Sequence, residues 1–331
     1  MNIAIFGWYH HRNAGDDRIQ QCLTRWLDGH TLAFLPAGRR PPIRLLRTCD
    51  AAILGGGGLI MGEGGMFRHM ARWIRSAGIP VALAGVSVEA ITPALRRELR
   101  EFLDRCCFAW FRDRESLEAV GEHPKAFVAP DLTWLYPYPA APLPPEGVAV
   151  CLRKQRGLPL DAWRRVLAQL DQPLHPWPLY FEQGGDAGVL ASVIPDRPVP
   201  EEFDLEPARR AAAVVSGRFH GIVFALQLGR PALAVSSLPK TRRFLAEQGL
   251  GAWTVAEDRP QELGERWRSF VDAWPRLSEE ALRIRSRLHD EVRTRTGAAR
   301  DRLLAVAAEL PPPSRRWGNR VREMLDLGSL F

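Results

Sequence analysis

Apolar residues fall along this chain in two alternating patterns. Short unbroken runs, closed by a glycine or a polar residue, predict buried strands at 3–6, 51–54, 81–88, 108–111, 126–129, 148–152, 213–216 and 232–235. A proline-interrupted strand is expected at 174–179. Between these runs the apolar positions move to helical spacing. Ile19, Cys22, Leu23, Trp26 and Leu27 define the first helix, with Asp16 or Asp17 as its cap. Another follows the Thr92 cap and Pro93, with Leu95, Leu99, Phe102, Leu103 and Cys106 inward. A third follows Asp161, with Trp163, Val166, Leu167 and Leu170 inward. Shorter helices are expected at 66–74, 115–120, 187–193, 219–228 and 241–247, and one or two long Arg-rich helices at 278–310. Strands alternating with helices predict parallel sheets covered on both faces.

The alternation stops once, at YPYPAAPLPPEG (136–147), where prolines forbid regular structure and stiffen a crossing between two lobes. A length of 331 residues fits two cores better than one. We therefore expect an N-terminal lobe at 1–140, a C-terminal lobe at 141–275, and C-terminal helices with a basic tail at 276–331.

Charge narrows the partners. The formal net charge is +7, carried mostly by arginine, which suits anionic small molecules, membrane surfaces or nucleic acid. No RNA-binding signature or zinc-finger spacing is present, so nucleic acid is not expected. The basic tail, PPPSRRWGNRVREMLDLGSLF, is read first as a solvated extension and second as a peripheral contact with a membrane surface or a partner. The cysteines, Cys22, Cys49, Cys106, Cys107 and Cys151, are odd in number, lack metal-ligand spacing and lie in apolar segments. They read as reduced core thiols of a cytoplasmic protein. The N-terminus carries no signal-peptide pattern, and no stretch approaches the ~18 apolar residues of a membrane span.

Chemistry concentrates in the turns that follow strands. At Ser216-Gly217-Arg218-Phe219-His220 a guanidinium and an imidazole stand at a helix N-terminus, where amides and the helix dipole favour an anion. The bland alternatives are an arginine capping a neighbouring carboxylate and a satisfied core histidine. Arg112 closes another strand; it is a ligand-binding candidate by position, or else a surface partner of Asp113. Asp131 is a turn aspartate or a site carboxylate, and Lys240 again follows a strand. The run Gly55-Gly56-Gly57-Gly58 is a tight strand–helix turn, a close approach of backbone to backbone, or a close approach of a ligand to the main chain. It is not a P-loop, and the Asn13-Ala14-Gly15-Asp16 loop lacks dinucleotide spacing.

Together these fragments resemble the polysaccharide pyruvyl transferase family: NAGD with its helix (13–27), D-AAIL-GGGG-L (50–59), FRDRES (111–116), APDL (129–132) and SGRFHGIVFALQLGRPALAVS with Lys240. The resemblance implies two Rossmann-like lobes with parallel sheets, GT-B-like, with the active site in the cleft between them. Its members transfer the enolpyruvyl carbons of phosphoenolpyruvate to two hydroxyls of one sugar, forming a pyruvate ketal in surface polysaccharide biosynthesis. Carried over, Arg218, His220 and Arg112 form the catalytic, donor-binding set. Ser216, Gly217, Phe219, Asn13, Asp16, Gly56, Gly57, Asp131 and Lys240 are expected around the donor. His220 is the expected general acid, with phosphate binding as its alternative role. The donor is a substrate, so neither cofactor nor metal is expected, and the acceptor is a sugar or lipid-linked saccharide. The chain departs from the family pattern at Val86-Ser87-Val88-Glu89, where a glycine-rich run is usual, and lacks an acidic residue just before Lys240. The competing readings are a GT-B glycosyltransferase using a nucleotide sugar and a non-catalytic component of polysaccharide assembly.

Overall fold

A computed structural model describes residues 1–142, 144, 146–182 and 185–311; the expected basic tail from residue 312 lies outside them. The chain divides into two compact units. The first comprises Met1–His10, Arg18–Leu135 and the chain from Glu291; the second comprises His11–Asp17 and Tyr136–Asp290.

The first unit alternates β1 (Asn2–Gly7), α1 (Ala14–Trp26), β2 (Thr31–Pro36), α2 (Ile43–Thr48), β3 (Ala51–Met61), α3 (Gly65–Ala77), β4 (Val81–Glu89), α4 (Pro93–Leu103), β5 (Cys106–Phe111), α5 (Arg114–Val120) and β6 (Ala126–Val128). The first four residues of α1 belong to the second unit. The strands form a parallel sheet of order β2-β1-β3-β4-β5-β6. Its core joins strand residues such as Phe6, Leu54 and Leu83 to Phe67 and Phe102 of α3 and α4, whose rings meet edge to face. Thr92 caps α4 as expected, its hydroxyl accepting from the Leu95 amide at 3.2 Å.

The second unit carries β7 (Val148–Cys151), α6 (Leu160–Ala168), β8 (Leu174–Pro176), α7 (Asp186–Val193), α8 (Glu206–Arg210), β9 (Ala213–Ser216), α9 (Phe219–Leu228), β10 (Ala232–Val235), α10 (Pro239–Glu247), β11 (Thr254–Val255) and α11 (Gln261–Asp272). The long α12 (Trp274–Ala308) begins here and continues into the first unit. The sheet order is β11-β10-β9-β7-β8, again parallel throughout. In each sheet the order reverses at the first strand, at β1 and at β7. The carboxyl side of such a reversal is where open α/β sheets bind ligands.

Several local expectations are corrected. The glycine run is not a turn, because β3 continues through it and pairs with β4 as far as Met61 and Glu89, with a register shift after Gly57. Neither Asp16 nor Asp17 caps α1: the helix starts at Ala14, and Asn13 Oδ1 accepts the Gly15 amide at 3.2 Å. Cys106 opens β5 rather than ending α4, since the chain leaves the helix at Asp104. The N-cap of α6 is Pro159, which places Asp161 within the first turn. The strand expected at 174–179 ends at Pro176; the Trp177 amide still bonds Val150 O, but Leu179, the next residue in register to donate to β7, gives its N–H to Asp186 Oδ2. Helices α8 and α11 and the two-residue β11 carry no pattern strong enough to be read in advance.

The proline-rich segment lies against the second unit. Gln227 Oε1 accepts the Tyr138 amide, and the fully buried Arg230 donates to Ala141 O and Arg209 O, both at 2.9 Å.

Candidate functional site

The second sheet reverses between β8 and β9, at β7, and the turn Ser216-Gly217-Arg218 stands at the carboxyl end of β9. Close packing explains the residue types there. A Cβ on Gly217 would crowd Arg153 N and Val235 O at 3.3 Å, while the Gly217 amide bonds Cys151 O at 2.6 Å. A Cβ on Gly221 would lie 2.1 Å from Ser216 Oγ. Ser216 is buried, and its hydroxyl accepts from Arg218 N at 3.1 Å, closing the turn into α9. His220 lies in the first turn of α9 between the rings of Phe219 and Phe224, at centroid distances of 5.4 and 5.8 Å.

Arg218 is aimed by a carboxylate. Its Nε and Nη2 donate to the two oxygens of Asp186, each at 2.6 Å, and Asp186 is fully buried. Asp186 also accepts from Leu179 N and, at sulfur range, from Cys151 Sγ. Burial opposes the guanidinium charge, but the Asp186 hydrogen bond and charge outweigh it and hold the Arg218 pKa above its ordinary value. The Arg218 guanidinium also lies 5.0 Å from the centre of the Tyr180 ring.

The NAGD segment belongs to this same unit. Asn13 bridges Tyr180, Ala14 N donates to Leu179 O at 2.9 Å, and Phe181 N donates to Arg12 O at 3.2 Å. Gly15 faces His220 so closely that a Cβ would stand 2.0 Å from its Nδ1. Two motifs separated by some two hundred residues therefore meet around one imidazole. Asp16 is buried in the first turn of α1, and Lys240 is the second residue of α10, half-buried. Beside that helix start, Glu257 accepts from Ser237 N at 2.9 Å and pairs with Arg153 at 3.3 Å.

The remaining candidates belong to the first unit. Arg112, at the carboxyl end of β5, pairs with Asp131 at 3.2 Å, both side chains being almost fully buried. Asp113 is not its partner, because it caps α5 by accepting from Ser116. Asp131 also accepts from the Thr133 amide and hydroxyl. Gly56 and Gly57 lie within β3 at φ +74° and +80°, and the space in front of Gly56 holds Ile19, whose Cγ2 is 2.5 Å from an ideal Cβ.

Six residues around the turn escaped the sequence reading: Asp186, Tyr180, Glu182, His11, Arg153 and Glu257. Arg153 was findable, since it follows a strand just as Arg112 does. Asp186 looks like an ordinary helix-start acid until its partner, 32 positions away, is known.

The two parallel, helix-covered sheets define an α/β protein of two Rossmann-like units in the GT-B class. Solved structures of similar fold include Anabaena Alr3699/HepE in complex with UDP-glucose (TM-score 0.62, 12% identity, covering 94% of this chain and 100% of that one). Others are Staphylococcus aureus MnaA with UDP (0.54, 10%, 85% and 90%) and Acinetobacter baumannii MurG (0.52, 13%, 88% and 99%). No curated protein matches the chain. The family model of polysaccharide pyruvyl transferases matches residues 7–239, and the chain belongs to that transferase family. Among the described residues no helix is long and apolar enough to cross a membrane.

Proposed function

We propose that this chain transfers the enolpyruvyl carbons of phosphoenolpyruvate to two hydroxyls of one sugar, releasing phosphate and forming a cyclic pyruvate ketal. The observation that carries the reading is the meeting of Gly15 with His220 beside the aimed fork of Arg218. It joins the two family motifs in one place and sets an acid–base group next to an anion-binding group.

Arg218 spends its Nε edge on Asp186, which leaves the Nη1 side for a carboxylate or phosphate of the donor. The first-turn amides of α9 add dipolar attraction for the same anion. His220 gives a proton to the donor's methylene carbon, which becomes a methyl group. The neighbouring carbon becomes an oxocarbenium-like electrophile, and a sugar hydroxyl adds to it and loses its proton. The bond from that carbon to the phosphate oxygen then breaks, and phosphate leaves with its electron pair. The second hydroxyl closes the ring and loses its proton in turn. Of the two hydroxyl protons, one balances the proton delivered to carbon and the other leaves with phosphate. Because phosphoenolpyruvate is a cytosolic metabolite, the acceptor, free or lipid-linked, is expected to be modified on the cytoplasmic side before export.

The test is incubation of the full chain with phosphoenolpyruvate and a panel of sugar acceptors. A mass gain of about 70 Da with equimolar phosphate release is expected. Absence of both, together with a thermal shift from UDP-glucose but none from phosphoenolpyruvate, moves the assignment to nucleotide-sugar transfer. His220→Gln is expected to lose turnover while keeping donor affinity; loss of affinity instead makes His220 a phosphate ligand.

A further inference from the structure

Near Arg218, at the hydroxyl end of the Tyr180 ring, stands a second polar cluster. Tyr180 Oη donates to Glu182 Oε2 at 3.2 Å, and His11 Nδ1 contacts the same oxygen at 3.2 Å. Two groups thus converge on one carboxylate oxygen, Oε2, and neither contact uses Oε1. Glu182 retains 33% side-chain exposure, enough for a ligand to reach it. Burial, and then the hydrogen bond to Glu182, raise the Tyr180 pKa, so the phenol stays protonated as a donor near neutral pH.

The carboxylate is held on a clamped segment. The 11–14 segment lies against 179–181 through the isolated Asn13–Tyr180 bridge, and Arg12 stacks over Phe181 while donating to Glu201 O at 2.8 Å. Gly185 N bonds Glu182 O at 2.8 Å, and a Cβ on Gly185 would stand 2.2 Å from Tyr180 O, so Gly185 is held close to the glutamate's backbone. His11 is flanked by two non-glycine residues at positive φ, His10 at +65° and Arg12 at +45°. Strain of this kind persists where the surroundings fix a functional geometry.

From this juxtaposition we infer that Glu182 is the acceptor-saccharide residue of the site: its Oε1 receives a sugar hydroxyl and takes that hydroxyl's proton as the oxygen attacks the donor. The inference rests on the pyruvyl-transfer reading. The O–H electron pair forms the new C–O bond, the proton passes to Glu182, and from there it goes to departing phosphate or water. Glu182 is bonded to the Tyr180 hydroxyl, and the guanidinium that holds the donor lies 5.0 Å from the centre of the same ring, so both groups border one tyrosine. His11 and Tyr180 act as positioning residues through Glu182.

Two measurements on the full chain test this. In turnover with phosphoenolpyruvate, Glu182→Gln is expected to lower acceptor kcat/KM by about 100-fold. Its thermal shift with phosphoenolpyruvate is expected to match the wild type. A variant within twofold of wild type for the acceptor, or one that loses the donor shift, overturns the assignment. Saturation-transfer NMR with methyl glycosides gives the second, activity-independent result. Signal with wild type and its loss with Glu182→Gln sustains the saccharide subsite even if no pyruvyl transfer is found; equal signal, or none with wild type, removes it. Tyr180→Phe and His11→Gln are expected to fall between, with kcat affected more than donor affinity.

Discussion

At the scale of single residues, the site is built from absences of side chain as much as from functional groups. Gly15 allows His220 to sit where any Cβ would collide with its Nδ1. Gly15→Ala must displace the imidazole, and a shift of about 1 Å is expected to cost roughly 100-fold in kcat. Phosphate-release kinetics beside a melting curve check this, with activity falling far more than stability. Asp186 behaves in the opposite way. It is fully buried and bidentate to Arg218, so Asp186→Asn strands a half-buried cation and is expected to cost about 3 kcal/mol, a fall in Tm of roughly 6–12 °C. Calorimetry together with donor titration separates that loss from any effect on chemistry. The sequence makes Arg218 and His220 readable because they follow a strand and open a helix. It hides Asp186, whose meaning depends entirely on a partner distant in the chain, and it hides Glu182, which lies in a segment without periodicity.

Among the elements, β3 shows how a motif can be noticed and still be assigned the wrong geometry. Four glycines suggest a turn, yet here they let a strand run on beneath α1, with Leu23, Tyr9 and Ile19 packed where side chains would otherwise project. The Tyr9 hydroxyl donates to Gly55 O at 2.6 Å, so the same close approach provides a hydrogen bond. At Gly56 two costs of substitution coincide: φ is +74°, and Ile19 Cγ2 fills the space in front. Gly56→Ala is expected to destabilise the first unit by about 2–4 kcal/mol. Ile19→Ala removes the collision but not the backbone strain, so the double variant should lie below the sum of the singles; a double-mutant cycle by urea unfolding measures the coupling. Additivity would mean that strain, not packing, selects glycine. Strands β9 and β10 and helices α4 and α9 were legible because their apolar runs are bounded by strong signals, such as Thr92-Pro93 and Gly229. Strand β8 fell short of its expected length because the Leu179 amide, next in register to donate to β7, goes to the Asp186 carboxylate instead, a contact that no local pattern announces.

For the whole molecule, the consequence that no local pattern reveals is the membership of the NAGD segment. Periodicity places residues 11–17 in the first strand–loop–helix unit, whereas in the fold they pack with Leu179, Tyr180 and His220 of the second. The cysteines make the two units separately observable. All five are free and buried, four in the first unit and Cys151 alone in the second. Burial raises the Cys106, Cys107 and Cys151 thiols above their ordinary pKa, most strongly where the side chain is wholly enclosed. Burial and a raised pKa both suppress thiolate attack, so no thiol of the native protein should react with a disulfide reagent at pH 8. Raising the pH to 9 should not expose one, because enclosure, not ionisation alone, limits the rate. In a denaturant titration read by mass spectrometry, Cys151 reports the sheet that carries Arg218, while Cys22, Cys49, Cys106 and Cys107 report the other. With a core of its own in each unit, labelling of Cys151 is expected to follow a midpoint distinct from the midpoint shared by the other four. Five coincident midpoints would instead show that the units unfold as one cooperative body.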